Sequence, residues 1–222
     1  MKSNRLAGIM LILGAAASVM TMTFHPTHFS AVASTEAMTR QIRVLLAVHA
    51  LALLSVPVVV FGFVGLTQRI GWERPAALFA VIVYCLSAVA VMFAAIADGL
   101  INAALMQKML SADETARQPL KAALEYNFQV NQACAKVFVF GASLAIISWS
   151  IAIVRVGPFE RVIGVGGFFV GVAALAGLLS GHLRMDVHGF GLIILLQAVW
   201  IVAVGVSMLR ASREKRTKPS FS

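Results

Sequence analysis

The sequence contains few charged residues. Asp, Glu, Lys and Arg make up 12% of its 222 residues, hydrophobic residues make up 60%, and the mean hydropathy is +0.90. A soluble domain is roughly 25% charged and about 45–50% apolar. This composition therefore excludes an ordinary soluble domain. It also excludes a disordered chain, which requires low hydrophobicity and high net charge.

Familiar catalytic motifs and paired cysteines are lacking as well. The sequence has no Walker loop, no G-x-S-x-G, C-x-x-C or H-E-x-x-H motif, and no kinase signature. Only Cys85 and Cys134 are present. They are expected at different depths of a membrane bundle, too far apart for a disulfide, so we predict two free thiols.

What the sequence does contain is long apolar runs. A hydrocarbon core about 30 Å thick is crossed by roughly 20 apolar residues in a helix. Six runs approach or reach this length: 6–24, 44–66, 76–97, 134–154, 162–183 and 190–209. They are continuous rather than alternating, which favours helices over a β-barrel. We predict an all-α transmembrane bundle, a single membrane domain over 1–222 with a basic tail at 210–222.

Basic residues are unequally divided between the two sides of this bundle. With a cytoplasmic N-terminus, the cytoplasmic segments carry 11 basic and three acidic residues, and the outer segments carry six of each. This positive-inside pattern predicts a bacterial cytoplasmic (inner) membrane with both termini in the cytoplasm. The net charge of +9 then reflects orientation, and we predict no nucleic-acid partner because no binding motif accompanies it.

The N-terminal run has an alternative interpretation. A secretory signal peptide could end at Ala31-Val32-Ala33. The first run has 19 residues, more than the roughly 7–15 of a signal h-region, which favours a membrane span.

The outer segments are predicted to be helical. The segment 98–132 continues the third span without a helix breaker, and we expect a helical hairpin with a turn near 111–119, where Pro119 suits a first turn. A short helix capped by Ser34 or Thr35 is expected in the first outer segment. Pro57 is expected to kink the second span.

Scarce polar residues gather near the predicted outer face. Ionisable groups at membrane depth are functional candidates. The candidate ligand-binding residues are His49, Asp98, Asn102, Asn127 and Asn131. The candidate metal ligands are His25, His28, His182, Asp186 and His188. Imidazole and carboxylate groups suit a divalent ion such as zinc, but the favoured interpretation is that these histidines and acids simply tolerate the interface.

The same residues bear on cofactors, on transport and on partners. No cofactor is predicted beyond that divalent metal, and a bis-histidine haem is disfavoured because only His49 lies clearly inside a span. A small transporter is disfavoured because the span interiors carry few polar groups. Membrane lipid is an expected partner. The small-residue stripe of the fifth span favours intramolecular packing, with a homodimer or another membrane protein as the alternative partner.

Three short sequence patterns together resemble those of other membrane proteins. Phe24-His25-Pro26, Asp98-Gly99 and His188-Gly189-Phe190-Gly191 resemble a broad group of bacterial multi-pass inner-membrane proteins of this length. The resemblance implies location and a six-helix layout, without an activity. We expect a non-enzymatic scaffold, partner subunit or small-ligand or lipid sensor. The alternative is a metal-dependent membrane hydrolase or oxidoreductase.

Overall fold

The structure, a computed structural model, describes residues 2–26 and 34–217, with side chains for 4–26 and 34–212. In these ranges all regular secondary structure is helical, and there is no strand. The elements are α1 (Lys2–Phe24), α2 (Thr35–Ile70), α3 (Pro75–Ala95), a π-helical segment (Ile96–Ile101), α4 (Asn102–Ser111), α5 (Glu114–Ile153), α6 (Pro158–Leu179) and α7 (Val187–Thr217). His28 and the sequence Ala31-Val32-Ala33 lie outside the described residues.

The predicted six-span helical bundle is confirmed. Six helices are long and apolar enough to cross a membrane: Asn4–Phe24, Thr35–Ile70, Pro75–Ser111, Glu114–Ile153, Pro158–Leu179 and Val187–Ser212. Three of them exceed the predicted runs by ten residues or more. The apolar runs mark where a helix meets hydrocarbon, whereas helical hydrogen bonding continues through polar residues beyond it.

The helix ends correct two details of the sequence analysis. Ser34 caps a helix through its side chain, which accepts a hydrogen bond from the Ala37 N–H, but that helix is α2 itself and not a separate short helix. At the turn between α4 and α5, Asp113 caps α5 by accepting from the Ala116 N–H. Pro119 consequently lies inside α5, beyond its first turn.

The six long helices form a ring in chain order. Each packs against the next, and α7 returns to α1. Neighbouring helices are antiparallel, as two approaches between α1 and α7 show: Gly8 lies beside Gly205, and Met22 lies beside Gly191. The end of α1, the start of α2 and the end of α3 therefore meet at one end of the bundle.

Aromatic side chains fill the centre of the ring. The Phe63 ring stacks on Trp149 with centroids 4.2 Å apart and meets Tyr84 edge-on at 4.5 Å. The buried indole N–H of Trp149 donates to the Thr67 hydroxyl at 2.9 Å. Because these residues come from α2, α3 and α5, this cluster fixes how the three helices pack.

The outer surface of the ring is apolar. Large side chains such as Leu54, Leu86 and Phe169 are 66–69% exposed. Extended apolar surface of this kind is rare on soluble monomers, and its presence supports a transmembrane helix bundle. Cys85 and Cys134 are both free thiols, as predicted.

Glycines in α6 pack inside the chain. A Cβ on Gly164 would lie 2.8 Å from the Ser150 carbonyl oxygen, and one on Gly167 would overlap the Trp200 indole. Gly164 and Gly167 thus bring α6 close to α5 and α7, whereas a Cβ on Gly177 or Gly181 would meet no other described helix.

Close packing of α1 on α2 can be tested by substituting a glycine of α2. A methyl group on Gly65 would overlap the Ala7 side chain, whereas one on Gly166 has no atom within 4 Å. We expect Gly65→Ala to lower the free energy of unfolding by about 1–3 kcal/mol, because overpacking forces the helices apart. Gly166→Ala is the matched control and should be neutral or stabilising. Unfolding in mixed detergent–SDS micelles measures both, and equal stabilities would contradict this packing.

Candidate metal centre

The third span contains a π-helical segment, Ile96–Ile101, where it nears the end of the bundle. The Asn102 N–H donates to the Ala97 carbonyl, five residues earlier, instead of four as in an α-helix. Such π-turns are rare and occur frequently at functional sites. This one carries Asp98 and Gly99.

Side chains from α5 hydrogen-bond this segment. The Asn127 amide donates to the Ala97 carbonyl at 2.7 Å and to the Asn102 side-chain oxygen at 2.6 Å. The Asn131 amide donates to the Ala94 carbonyl at 3.3 Å. The two asparagines are four residues apart on one face of α5, so they hold the π-turn against that helix.

Gly99 allows α2 to approach the π-turn. A Cβ on this residue would overlap Cβ and Cγ of His49. The absence of a side chain at Gly99 therefore brings the buried His49 ring next to Asp98, the preceding residue. Here glycine is required for a close approach between two helices.

Three side chains from different segments converge at this point. Nε2 of His25 lies 3.1 Å from Oδ2 of Asp98, and Nε2 of His49 lies 3.3 Å from the same oxygen. The side chains of His25, His49 and Asp98 are 11%, 6% and 25% exposed. One ligand atom from each lies within 4.8 Å of the other two. We call this group the His–His–Asp cluster.

Backbone carbonyls fix the orientation of both imidazoles. Nδ1 of His25 is 3.0 Å from the Pro26 carbonyl oxygen, and Nδ1 of His49 is 2.8 Å from that of Leu45. A carbonyl oxygen only accepts hydrogen bonds, so each Nδ1 carries the proton. In the neutral tautomer this leaves both Nε2 lone pairs facing the Asp98 carboxylate.

Two lone pairs cannot face each other without a hydrogen atom or a metal ion between them. A cation shared by the two nitrogens and the carboxylate oxygen satisfies both contacts at once. Zinc bonds of about 2.0–2.1 Å in a tetrahedron place neighbouring ligand atoms about 3.3–3.4 Å apart. The two Nε2–Oδ2 distances of 3.1 and 3.3 Å are close to this value, and the two imidazoles offer ligand atoms within 4.8 Å of each other, so the three side chains suit a divalent metal.

The groups that hydrogen-bond the cluster are of the kind that orient the ligands in known metal sites. Histidine ligands commonly donate their second N–H to a carbonyl, and ligand carboxylates are themselves hydrogen-bonded. Here both Nδ1 atoms face carbonyls, and the Asn102 amide donates to the second oxygen of Asp98 at 2.9 Å. Asn127 in turn orients Asn102.

Of the other metal candidates, the structure describes His182, Asp186 and His188, and none of these three belongs to the cluster. Asp186 forms a 3.1 Å ion pair with Arg184 and accepts a hydrogen bond from the Gly189 N–H. That N–H holds the pKa of Asp186 below its ordinary value. His182 is exposed, and His188 lines a surface cleft with His25. In the described part of the chain, the metal-capable group consists of His25, His49 and Asp98.

A second polar group lies at the opposite end of the bundle. Arg69 donates to Glu160 at 2.8 Å and to the Ser207 hydroxyl at 3.0 Å, and Ser207 donates to Glu160 at 3.0 Å. These residues join α2, α6 and α7. The structure therefore pairs a basic and an acidic side chain, 15% and 17% exposed, at this end of the bundle.

Comparison with known proteins gives no further guide to the site. No protein-family model, curated protein or solved structure matches this chain. Its function is therefore argued from geometry.

The asparagine link between helices can be tested by stability. Asn127→Ala removes two hydrogen bonds from a buried side chain, and we expect the free energy of unfolding to fall by about 1–2 kcal/mol. Gln129→Ala is the control, since Gln129 is exposed and bonds only Glu125 on its own helix. An equal effect of the two substitutions on unfolding in mixed micelles would argue against this role for Asn127.

Proposed function

We propose that this protein is a transmembrane helix bundle that binds a divalent transition-metal ion, with zinc as the reference ion. The ligands are His25, His49 and Asp98. The observation that carries the proposal is the pair of imidazoles whose Nδ1 atoms face carbonyls while both Nε2 atoms face one carboxylate oxygen.

The ligand types narrow the choice of ion. Two imidazoles and one carboxylate suit zinc, iron(II), cobalt or manganese better than calcium or magnesium, which prefer oxygen ligands. The cluster contains no thiolate, which favours these borderline ions over copper(I). The ion is then the small ligand expected of a non-enzymatic sensor or partner subunit.

The location of the cluster belongs to the same proposal. We place it at the outer side of a bacterial cytoplasmic membrane, with both termini in the cytoplasm. The unequal distribution of basic residues supports this orientation. The helical hairpin formed by α4 and α5 would then extend outside the hydrocarbon core, next to the cluster.

A metal-dependent hydrolase is the second candidate. Three protein ligands leave a coordination position for water, which is the arrangement of catalytic zinc sites. A neighbouring surface cleft that His25 also lines favours this candidate. Ester hydrolysis that requires zinc and is lost in His49→Gln would distinguish an enzyme from a metal-binding subunit.

Metal binding is tested with full-length protein purified in detergent. After zinc loading and dialysis, elemental analysis should find one zinc ion per chain. Asp98→Asn and His49→Gln each remove one ligand atom and should weaken zinc binding at least about 100-fold in calorimetric titration. Asn102→Ala removes the amide that donates to Asp98, together with the oxygen that accepts from Asn127, and should weaken zinc binding about 10–100-fold.

Matched variants separate ligands from bystanders. His182→Gln removes an exposed histidine that lies outside the cluster and should leave the zinc affinity unchanged. Asn131→Ala removes an α5 amide that bonds the Ala94 carbonyl, not Asn102, and its effect should be below that of Asn102→Ala. Wild-type protein without stoichiometric zinc, or full uptake by Asp98→Asn, would refute the proposal.

A further inference from the structure

A cleft of about 360 Å³ opens between the end of α1 and the start of α7. This volume falls within the range of small-molecule sites, about 300–1,000 Å³. Its lining residues are Val19, Met22, Thr23, His25, Val187, His188, Gly191, Ile194 and Leu195. His25 also belongs to the His–His–Asp cluster, so the cleft and the candidate metal centre share a side chain.

The lining changes from polar to apolar along the helices. The polar side chains, Thr23, His25 and His188, all come from the end of the bundle. Ile194 and Leu195 lie six and seven residues further along α7 than His188, which corresponds to about 10 Å along the helix axis. Val19 lies at a similar depth on α1, because the two helices are antiparallel.

The lining changes from polar to apolar in the same direction as a bilayer does from its headgroups to its hydrocarbon core. Both walls belong to helices long and apolar enough to cross a membrane, and Leu195 is 48% exposed at the surface. A molecule in the cleft would therefore have its apolar part against hydrocarbon and its polar part at the level of His25 and His188. A phospholipid of the surrounding leaflet has this shape and polarity.

The polar end of the cleft favours a negative headgroup. It presents two imidazoles and no carboxylate among its lining residues. Asp186, close to His188 along the chain, already pairs with Arg184. The nitrogens of His25 already face the Pro26 carbonyl and Asp98, so His188 is the lining imidazole whose N–H can donate to a phosphate oxygen.

We infer that this cleft binds an anionic phospholipid, with an acyl chain between α1 and α7 and the headgroup phosphate at His188, next to His25. The inference extends the proposed function, since it names the molecule that lies beside the metal centre. Through His25 the two sites are linked, so lipid and metal should alter each other's affinity reciprocally.

The test measures lipid binding without metal. Full-length protein in detergent with EDTA is titrated with dimyristoyl phosphatidylglycerol or dimyristoyl phosphatidylcholine and followed by native mass spectrometry. We expect one phosphatidylglycerol molecule to bind at least about tenfold more tightly than phosphatidylcholine. Because EDTA removes metal, failure of zinc binding and failure of lipid binding are separate results.

Two pairs of variants locate the lipid. A side chain on Gly191 would enter the cleft beside Met22, its Cβ in ordinary contact at 3.6 Å, whereas Gly166 faces open space. Gly191→Phe should weaken phosphatidylglycerol binding about tenfold, and Gly166→Phe should not. His188→Gln should reduce the preference for phosphatidylglycerol to below about threefold, while His182→Gln retains it.

One set of outcomes would overturn the inference. Unchanged binding in Gly191→Phe would mean that the lipid lies elsewhere, or that another part of the chain or a second copy fills the cleft. Equal affinities for the two lipids in wild-type protein would refute the anionic headgroup. Unfolding curves of each variant show whether a loss of binding reflects misfolding, and a folded Gly191→Phe that loses the lipid supports the cleft.

Discussion

The contact between the Asp98 carboxylate and two imidazoles is the interaction on which one end of this bundle depends. An ionisable side chain near membrane depth is costly unless other groups compensate its charge. Asp98 receives His25 and His49 on one oxygen and the Asn102 amide on the other. The π-turn, the missing side chain at Gly99 and the amide of Asn127 all position this one carboxylate, and the metal proposal explains why two uncharged nitrogen lone pairs would face it.

Much of the fold could be predicted from the sequence. Apolar length alone specifies a membrane-spanning helix, because the hydrocarbon core excludes unpaired backbone groups. The ends of the helices were harder to predict. Backbone hydrogen bonding inside a helix continues through polar residues, so α2 begins at Thr35, well before its apolar run, with Ser34 as its cap. Hydropathy gives no signal for that continuation.

The candidate site was only partly predictable. Antiparallel spans place His25, His49 and Asp98 at one end, and the i, i+4 spacing of Asn127 and Asn131 put both on the helix face that meets the third span. Sequence analysis nevertheless assigned His25 to one candidate group and His49 with Asp98 to another. Their convergence depends on the π-turn and on the depth to which Gly99 admits His49, and both are packing details that no sequence spacing encodes. The dipeptide Asp98-Gly99 was the one available signal.

X-ray absorption spectroscopy of the zinc-loaded protein tests the central claim most directly. If His25, His49 and Asp98 hold the ion, the spectrum should show nitrogen and oxygen ligands at about 2.0–2.2 Å, with the multiple-scattering pattern of two imidazoles and no sulfur near 2.3 Å. In His49→Gln the pattern should fall to one imidazole. A spectrum with sulfur ligands, with oxygen ligands only, or with two imidazoles still present in His49→Gln would contradict a metal held by His25, His49 and Asp98.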